Sequence, residues 1–322
     1  ILFYLKVRIE MEKYRIGTDV GGTNVKIALV DNKGALIYSN TVPTRAEMGY
    51  EYTINNIKQA IHDLMKETNT SKDNIEGIGF GFPGQIDFTN GIVRALPNIP
   101  GWVNVPLSKI MEDEFKIPTR VDNDVRVAAL GELNFGAGVG CQNLICITVG
   151  TGIGSGLIIN GKLVRGASNA AGEIGHIKMQ MFDGPICGCG DQGCFEAFAS
   201  GPSIVAMAYD YIKGGKSTKF RELASGGEIT PYIVAEAAKA GDCVALKIFE
   251  IIGEYIGIGL SPVINLLNQE KIVIGGGVAD AGDILFDPIR KTIEKRAMKI
   301  QADACQIVKA KLGNTAGVIG AS

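Results

Sequence analysis

Apolar and polar positions form short alternating runs at the start of the chain and then change to a helical spacing. Between residues 14 and 43, apolar runs are separated by the turn signals GGTN and DNKG, a pattern typical of antiparallel strands joined by tight turns. Residues 53–65 then carry apolar side chains at helical spacing, and IEGIGFGFPG predicts a strand that ends in glycines. The predicted order is strands, helix, strand.

The second half of the chain is mostly helical in pattern. Helical periodicity dominates residues 202–265, and QEKIVIGGGVAD then predicts a buried strand followed by a glycine turn. A further helix, a strand over 306–311 and a short terminal helix complete the prediction.

Part of the first pattern recurs downstream. With Val20 set against Val149, DVGGTNVKIALVDNKGAL aligns with TVGTGIGSGLIINGKLV, and both show a strand, a Gly/Thr turn, a second strand and an Asx/Gly turn without a gap. Glycine-rich hairpins can look alike by chance, but the shared register favours two domains of common ancestry.

Composition narrows the function classes. A chain of 322 residues is long enough for two domains. A formal net charge of −2 and a pI near 5.9 argue against a nucleic-acid partner. Residues 255–267 form the longest apolar stretch, which is too short and too interrupted to span a membrane.

The cysteine count and the first residues bear on the compartment. An odd number of cysteines, seven, fits a reducing cytoplasm better than a disulfide framework. The opening ILFYLKVRIE has no secretory cleavage pattern. We therefore expect a cytoplasmic protein, and the role of residues 1–13 stays open.

Three glycine-rich turns directly follow apolar strands. Glycine lets the backbone N–H groups approach phosphate oxygens closely, so such turns suit a nucleotide, although a single one is more often a simple tight turn. Two of the three lie at equivalent places in the repeat, which favours the nucleotide interpretation. The candidate nucleotide-binding residues are Asp19, Gly21, Gly22, Thr23, Gly150, Thr151, Gly152, Gly275, Gly276 and Gly277.

Two other glycine motifs match known patterns only superficially. GFGFPG at 79–84 has the spacing of a dinucleotide fingerprint, but Pro83 and the residues after it predict turns where a helix must begin. GGKST at 214–218 resembles the end of a Walker A loop, yet a helical segment precedes it, so it is interpreted as a helix C-terminus.

A run of polar residues, DND at 122–124, precedes an amphipathic helix. One of them is needed as an N-cap, most simply Asp122 or Asn123. Asp124 at the helix entrance is then placed to accept a proton from a substrate hydroxyl in phosphoryl transfer. Asp19, just before the first glycine turn, is the candidate to orient Mg²⁺ through water.

Together these segments resemble the ROK family of bacterial sugar kinases and sugar-responsive repressors. The resemblance runs from about Tyr14 to Ser322 and rests on DVGGT, PNIPGW, DND, GTGIGSGLIINGKLVRGASNAAGEIGH and CGCGDQGC followed by FE. It implies an α/β, two-lobed actin-like ATPase fold, related to ribonuclease H, with a duplicated core and a cleft between the lobes. We expect a small lobe over 1–121 with a C-terminal helix at 312–322, and a large lobe over 122–311.

The resemblance also implies roles for individual residues. Asp124 corresponds to the base that activates the 6-hydroxyl of the sugar. Arg126 stands where most relatives have Asn, which leaves the local geometry of the sugar side open. The groups that correspond to sugar-binding residues are Asn98, Asn123, Asp124, Glu173, His176 and Glu196. The positions that correspond to zinc ligands are His176, Cys187, Cys189 and Cys194.

One histidine and three cysteines make a closed four-coordinate set, which is typical of structural rather than catalytic zinc. The spacing C-x-C-x₄-C with a nearby His argues against free cysteines in a glycine loop. A zinc ribbon that contacts nucleic acid is disfavoured by the acidic neighbours Asp183, Asp191 and Glu196.

The expected function is ATP-dependent phosphorylation of a hexose at the 6-hydroxyl, with glucose as substrate, ATP and Mg²⁺ as cofactors, and structural Zn²⁺. N-acetylmannosamine, N-acetylglucosamine and fructose stay open as alternatives. A repressor is less expected because 18 residues before Asp19 leave little room for a winged helix. An ATPase with a protein client is a third class. The resemblance implies a homodimer or homotetramer.

Overall fold

The computed structural model describes residues 12–96, 99 and 101–322. They separate into two compact units, one formed by the described residues up to Val127 together with Gly317–Ser322, and the other by Ala128–Ala316. The strands are β1 Tyr14–Val20, β2 Asn24–Asp31, β3 Leu36–Pro43, β4 Ile75–Phe82, β5 Gln85–Asp87, β6 Ile92–Ala95, β7 Val103–Val105, β8 Thr119–Asn123, β9 Leu144–Val149, β10 Ile153–Ile159, β11 Lys162–Leu163, β12 Lys271–Gly275 and β13 Gln306–Lys309.

The helices alternate with these strands and dominate the second half. They are α1 Tyr50–Glu67, α2 Leu107–Phe115, α3 Asp124–Phe135, α4 Phe195–Ala199, α5 Gly201–Lys213, α6 Phe220–Leu223, α7 Pro231–Lys239, α8 Cys243–Leu267, α9 Asp283–Arg296, α10 Lys299–Ala304 and α11 Ala316–Ala321.

The first unit is built on a five-stranded sheet with the order β3-β2-β1-β4-β8. β1, β2 and β3 form the predicted antiparallel meander, while β4 runs parallel to both β1 and β8. A small sheet, β5-β6-β7, has no counterpart in the sequence-based prediction. The apolar face of α1 packs its buried Ile57, Ile61 and Leu64 into the same core as Ile16 and Ile27 of the sheet.

The second unit repeats this arrangement. Its sheet has the order β11-β10-β9-β12-β13, with an antiparallel β9-β10-β11 segment followed by the parallel strands β12 and β13. Three consecutive antiparallel strands and two parallel additions therefore occur in the same order in both units. The matching topology confirms the predicted duplication of an α/β core.

Helices α5 to α8 occupy the segment for which helical periodicity was predicted. Asp242 is the last residue before α8. Its side chain accepts hydrogen bonds from the N–H groups of Val244 and Ala245 and so caps the N-terminus of α8. GGKST lies directly after α5, whose C-cap is Gly214, as predicted. Across the described ranges, none of the helices has the length and apolar character needed to cross a membrane.

The last helix belongs to the first unit. α11 lies so close to β1 and β4 that a Cβ on Gly17 would be 1.8 Å from the Val318 carbonyl oxygen, and one on Gly79 would be 1.7 Å from that of Ala321. Glycine at these two strand positions is what allows the helix backbone to approach the sheet.

Candidate active site and metal centre

The DND segment marks the junction of a strand and a helix. β8 ends at Asn123 and α3 begins at Asp124, as the sequence predicted for the helix entrance. Asn123 acts as the cap, because its Oδ1 accepts the N–H groups of Val125 at 3.1 Å and Arg126 at 3.3 Å. Asp124 is therefore not needed as the cap, and its carboxylate keeps acceptor capacity for another partner.

Two carboxylates stand at the carboxyl ends of parallel strands in the first unit, Asp19 near the end of β1 and Asp124 just after β8. Desolvation by the surrounding protein, with a smaller contribution from the negative charge of Asp19, raises the pKa of Asp124 to about 6, against the opposing effect of the hydrogen bond that Oδ1 accepts from the Val125 N–H. Burial also raises the pKa of Asp19, against the opposing effect of the Lys26 ammonium. Asp124 is thus a partly desolvated carboxylate whose proton affinity suits a general base near neutral pH.

The third residue of the motif, Asp122, has a different environment. It is buried and forms an ion pair with the buried Arg126 guanidinium, with 3.3 Å between Nη1 and Oδ1. The same oxygen accepts the Asn123 N–H at 2.8 Å. Arg126 is therefore part of the packing beneath the strand-helix junction.

The first glycine turn joins β1 to β2. Gly21 donates its N–H to the Asn24 carbonyl at 2.9 Å, and the hydroxyl of Thr44 donates to the Gly21 carbonyl at 2.6 Å. Gly22 and Thr23 are exposed. Hydrogen bonds to Asn24 and Thr44 thus fix the turn at Gly21, while Gly22 and Thr23 face solvent.

The other two glycine turns lie in the second unit and meet at one cavity. Its volume is about 750 Å³, and its wall includes Gly150 and Thr151 of one turn and Gly277 of the other. Gly276 has a φ of 84°, and a Cβ there would lie 2.4 Å from the Val149 carbonyl oxygen, so this close turn requires glycine. The structure thus brings two of the three predicted turns together.

Sequence reasoning missed most of the remaining cavity wall. It comes from the start of α5, from the helical turn that follows Gly277, and from the connection into α7, and the sequence offered no reason to place these segments at one site. Only the three-dimensional arrangement of α5 and α7 identifies them. These lining residues are Gly201, Pro202, Val205, Ala206, Glu228, Ile229, Thr230, Pro231, Tyr232, Val278 and Asp280.

The predicted metal ligands converge in the second unit. The ligand atoms of His176, Cys187, Cys189 and Cys194 all lie within 4.8 Å of one another. His176 Nδ1 is 3.8 Å from the Cys187 sulfur, and the sulfurs of Cys189 and Cys194 are also 3.8 Å apart.

These separations fit a tetrahedral metal. Ligands about 2.3 Å from a tetrahedral zinc ion are roughly 3.8 Å from one another. Burial raises the pKa of the Cys187 thiol to about 12, whereas a hydrogen bond with the Asp191 backbone lowers that of Cys189. All seven cysteines of the chain lie in its described part and are free of disulfides. The four residues therefore have the chemistry and the spacing of a zinc site.

The two predicted sugar-binding glutamates adjoin this cluster. Glu173 Oε2 is 3.9 Å from His176 Nε2, so the two ring nitrogens face different partners. Glu196 follows Cys194 at the start of α4, where it accepts the Ile153 N–H at 2.8 Å and approaches the Cys187 sulfur at 3.6 Å. Glu196 thus adjoins both the metal cluster and the turn at Gly152.

Two residues remain to be placed. Asn98, a predicted sugar-binding residue, lies outside the described residues. His62, the other histidine of the chain, lies on α1, where it is half-exposed and its Nε2 is 3.2 Å from Glu114.

Comparison with known proteins matches nearly the whole chain. The ROK family profile matches residues 15–322. A glucokinase from Halalkalibacterium halodurans is 39% identical over 310 residues, which cover 96% of this chain and 94% of the relative. A xylose repressor from Caldicellulosiruptor bescii is 32% identical over 95% of this chain and 76% of the repressor.

A solved structure shows the same fold. The ROK family glucokinase from Streptomyces griseus, in complex with glucose and AMPPNP, superposes with a TM-score of 0.82 at 35% identity, over 96% of this chain and 97% of that one. The fold expected from the resemblance is therefore confirmed.

Proposed function

This chain belongs to the ROK family, and from that premise we propose that it is an ATP-dependent hexose kinase that converts glucose to glucose 6-phosphate. The observation that carries the proposal is Asp124, a desolvated carboxylate at the start of α3 whose pKa is raised to about 6. The relatives named glucokinase supply the choice of substrate.

The chemistry requires one proton acceptor. In the proposed reaction the Asp124 carboxylate takes the proton of the sugar 6-hydroxyl while the 6-oxygen of the sugar bonds to the γ-phosphorus of ATP. The bond from that phosphorus to the bridging oxygen of the β-phosphate breaks, and ADP leaves. A carboxylate with a pKa near 6 is ionised at neutral pH yet basic enough to assist this transfer.

The nucleotide is assigned to the glycine turns. The cavity lined by Gly150 and Thr151 of one turn and Gly277 of the other is of the size that a nucleoside requires, and glycine turns of this kind can bring backbone N–H groups close to phosphate oxygens. Gly21, Gly22 and Thr23 are assigned to the phosphates as well. Asp19 would orient Mg²⁺, which neutralises phosphate charge when bound.

Sugar hydroxyls are assigned to Asn98, Asn123, Glu173, His176 and Glu196. Carboxylates and amides bind vicinal hydroxyls through paired hydrogen bonds, which gives strong discrimination against analogues that leave them unpaired. His176 Nδ1 is the nitrogen on the metal side, and Nε2, beside Glu173, is the one for the sugar. Zinc at His176, Cys187, Cys189 and Cys194 would serve as a structural brace.

A coupled assay for ADP release tests the proposal. We expect turnover with glucose and little with N-acetylglucosamine, N-acetylmannosamine or fructose. The variant Asp124→Asn should lower kcat by about 10² to 10⁴ while unfolding at the same temperature as the wild type. Asp63→Asn, on the exposed side of α1, is the control and should retain full activity.

Absence of turnover with all four sugars would refute the kinase. If the protein instead retained a specific operator fragment at physiological salt, the repressor function of its relatives would take precedence.

The proposed compartment is the reducing cytoplasm, which keeps the thiol ligands available. The expected homodimer or homotetramer is tested by light scattering of the purified protein.

A further inference from the structure

Lys178 stands beside the proposed metal site without being one of its ligands. It pairs with Cys194 through an isolated antiparallel bridge, which places its side chain over the turn formed by residues 191–194. Its Nζ lies 2.8 Å from the Gln192 carbonyl oxygen, 2.5 Å from Asp191 Oδ2 and 3.4 Å from the Cys194 sulfur.

The three contacts match the bonding capacity of the side chain. A lysine ammonium has three N–H donors and no acceptor, and here it meets a carboxylate, a carbonyl and a sulfur, all acceptors. The backbone around it is fixed as well, because Met179 donates to the Gly193 carbonyl at 2.8 Å and Phe195 to that of Ile177 at 2.9 Å. The position of the ammonium therefore follows from the local fold.

The negative charge of the proposed ligand set favours a cation at the position of the Lys178 ammonium. Three thiolates and a neutral imidazole around Zn²⁺ carry one net negative charge. Glu173 lies near His176 and Glu196 near Cys187, and both add to the negative charge around the cluster. A buried thiolate such as that of Cys194 is costly unless a donor or a cation compensates it.

We propose that Lys178 stabilises zinc in the site by donating a charge-assisted hydrogen bond to the Cys194 sulfur, and so governs how long the metal is retained. The inference rests on the proposed zinc site and adds a residue to it. Lys178 acts through Cys194 and is a positioning residue, since it touches neither the sugar nor the nucleotide in the proposed function. Partners of metal ligands typically change metal affinity by about 10 to 100-fold when removed.

The test measures zinc release from the full-length protein. Zinc-loaded protein is mixed with the chromophoric chelator 4-(2-pyridylazo)resorcinol, and the rate of absorbance change gives the dissociation rate. Lys178→Met should lose zinc roughly tenfold faster than the wild type, or more. Lys178→Arg, which keeps the charge and the donors, should stay close to the wild type, and Lys178→Gln should lie between the two.

A matched control separates a local effect from a change of net charge. Lys247 on α8 is exposed to a similar degree, 50% against 40% for Lys178, and also pairs with a single carboxylate, that of Glu250. Lys247→Met should release zinc at the wild-type rate. Circular dichroism of each zinc-loaded variant establishes that it is folded.

Several outcomes would overturn the role. If Lys178→Met released zinc at the wild-type rate, the proposed role would be wrong. If Lys178→Arg released zinc as fast as Lys178→Met, the shape of the side chain rather than its charge would determine zinc retention.

A cobalt-substituted protein gives a second measurement. The thiolate-to-metal absorption band should shift in Lys178→Met and not in Lys247→Met, and an unshifted band in Lys178→Met would contradict the hydrogen bond to Cys194. A wild-type protein that takes up no zinc would refute the metal site itself, and with it this role.

Discussion

Asp124 and Asp19 show how much of the chemistry is set at the scale of single residues. Their positions follow from the sequence, because Asp124 stands where a helix begins and Asp19 stands where a strand ends. Their mutual influence does not, since it depends on β1 and β8 lying on either side of β4. The raised pKa of Asp124 is a property of that arrangement and of burial.

A pH dependence follows from this pKa. A carboxyl group whose pKa is raised to about 6 is protonated below that pH and then cannot accept a proton from the sugar. We expect kcat/KM for glucose to fall about tenfold for each pH unit below roughly pH 6 and to level off above it. Coupled assays from about pH 5 to about pH 9 measure the profile.

Asp19→Asn gives the companion measurement. Its charge contributes to the raised pKa of Asp124, so its removal should move the acid limb to lower pH, whatever it does to the maximum rate. A flat wild-type profile down to about pH 5 would contradict the assignment of Asp124 as the base.

Arg126 was the residue whose effect the sequence left open. The structure gives it a local function, since its guanidinium pairs with Asp122 beneath the junction of β8 and α3. The sequence does not predict this ion pair. Asp122 and Arg126 have the i, i+4 spacing of a helical pair, but Asp122 lies on a strand and Arg126 on a helix.

At the scale of elements, the segment from His176 to Cys194, which carries the proposed metal ligands, is the most informative. The residue types and their spacing predicted that four side chains would lie together, and the structure brings these four side chains together. Turns and β-bridges, rather than long helices or strands, hold this segment. A metal ion is therefore expected to contribute much of its order.

Loss of zinc should weaken sugar binding. We expect Cys189→Ser, or treatment with a chelator, to raise KM for glucose about tenfold, because Glu173, His176 and Glu196 would lose their fixed positions. kcat should change much less, since Asp124 lies in another segment. Cys243→Ser, which alters another exposed cysteine, is the control. Unchanged sugar affinity in zinc-free protein would be incompatible with the brace.

The cavity wall shows the limit of sequence reasoning at this scale. The glycine turns were predictable because strand-glycine junctions have a local signature. The connection into α7 has none, and it reaches the cavity only because α5, α7 and α8 pack as a layer. Tertiary packing, which single-sequence periodicity does not encode, determines that contribution.

For the whole molecule, the duplication is the feature that the sequence predicted best. The ungapped alignment of residues after Val20 with those after Val149 corresponds to equivalent strands, β2 and β10, in two sheets of the same order. The small sheet β5-β6-β7 was missed because its strands are only three or four residues long, too short for a periodic signal.

The attachment of α11 to the first unit can be tested by a pair of alanine substitutions in β4. Gly79→Ala would place a Cβ 1.7 Å from the Ala321 carbonyl oxygen and should lower the free energy of unfolding by roughly 3 kcal/mol or more. Gly77→Ala makes only an ordinary 3.5 Å contact with Pro118 and should cost less than about 1 kcal/mol. Denaturant unfolding measures both, and equal losses would contradict the close packing of α11.

The same helix sets an order of events during synthesis. A ribosome makes the strands around Gly17 and Gly79 early, but Gly317–Ser322, which complete their unit, emerge only after all of Ala128–Ala316. The unit encoded second therefore has its whole sequence available before the unit encoded first. During that interval the surface of β1 and β4 around Gly17 and Gly79, which α11 covers in the folded protein, stays uncovered in the nascent chain.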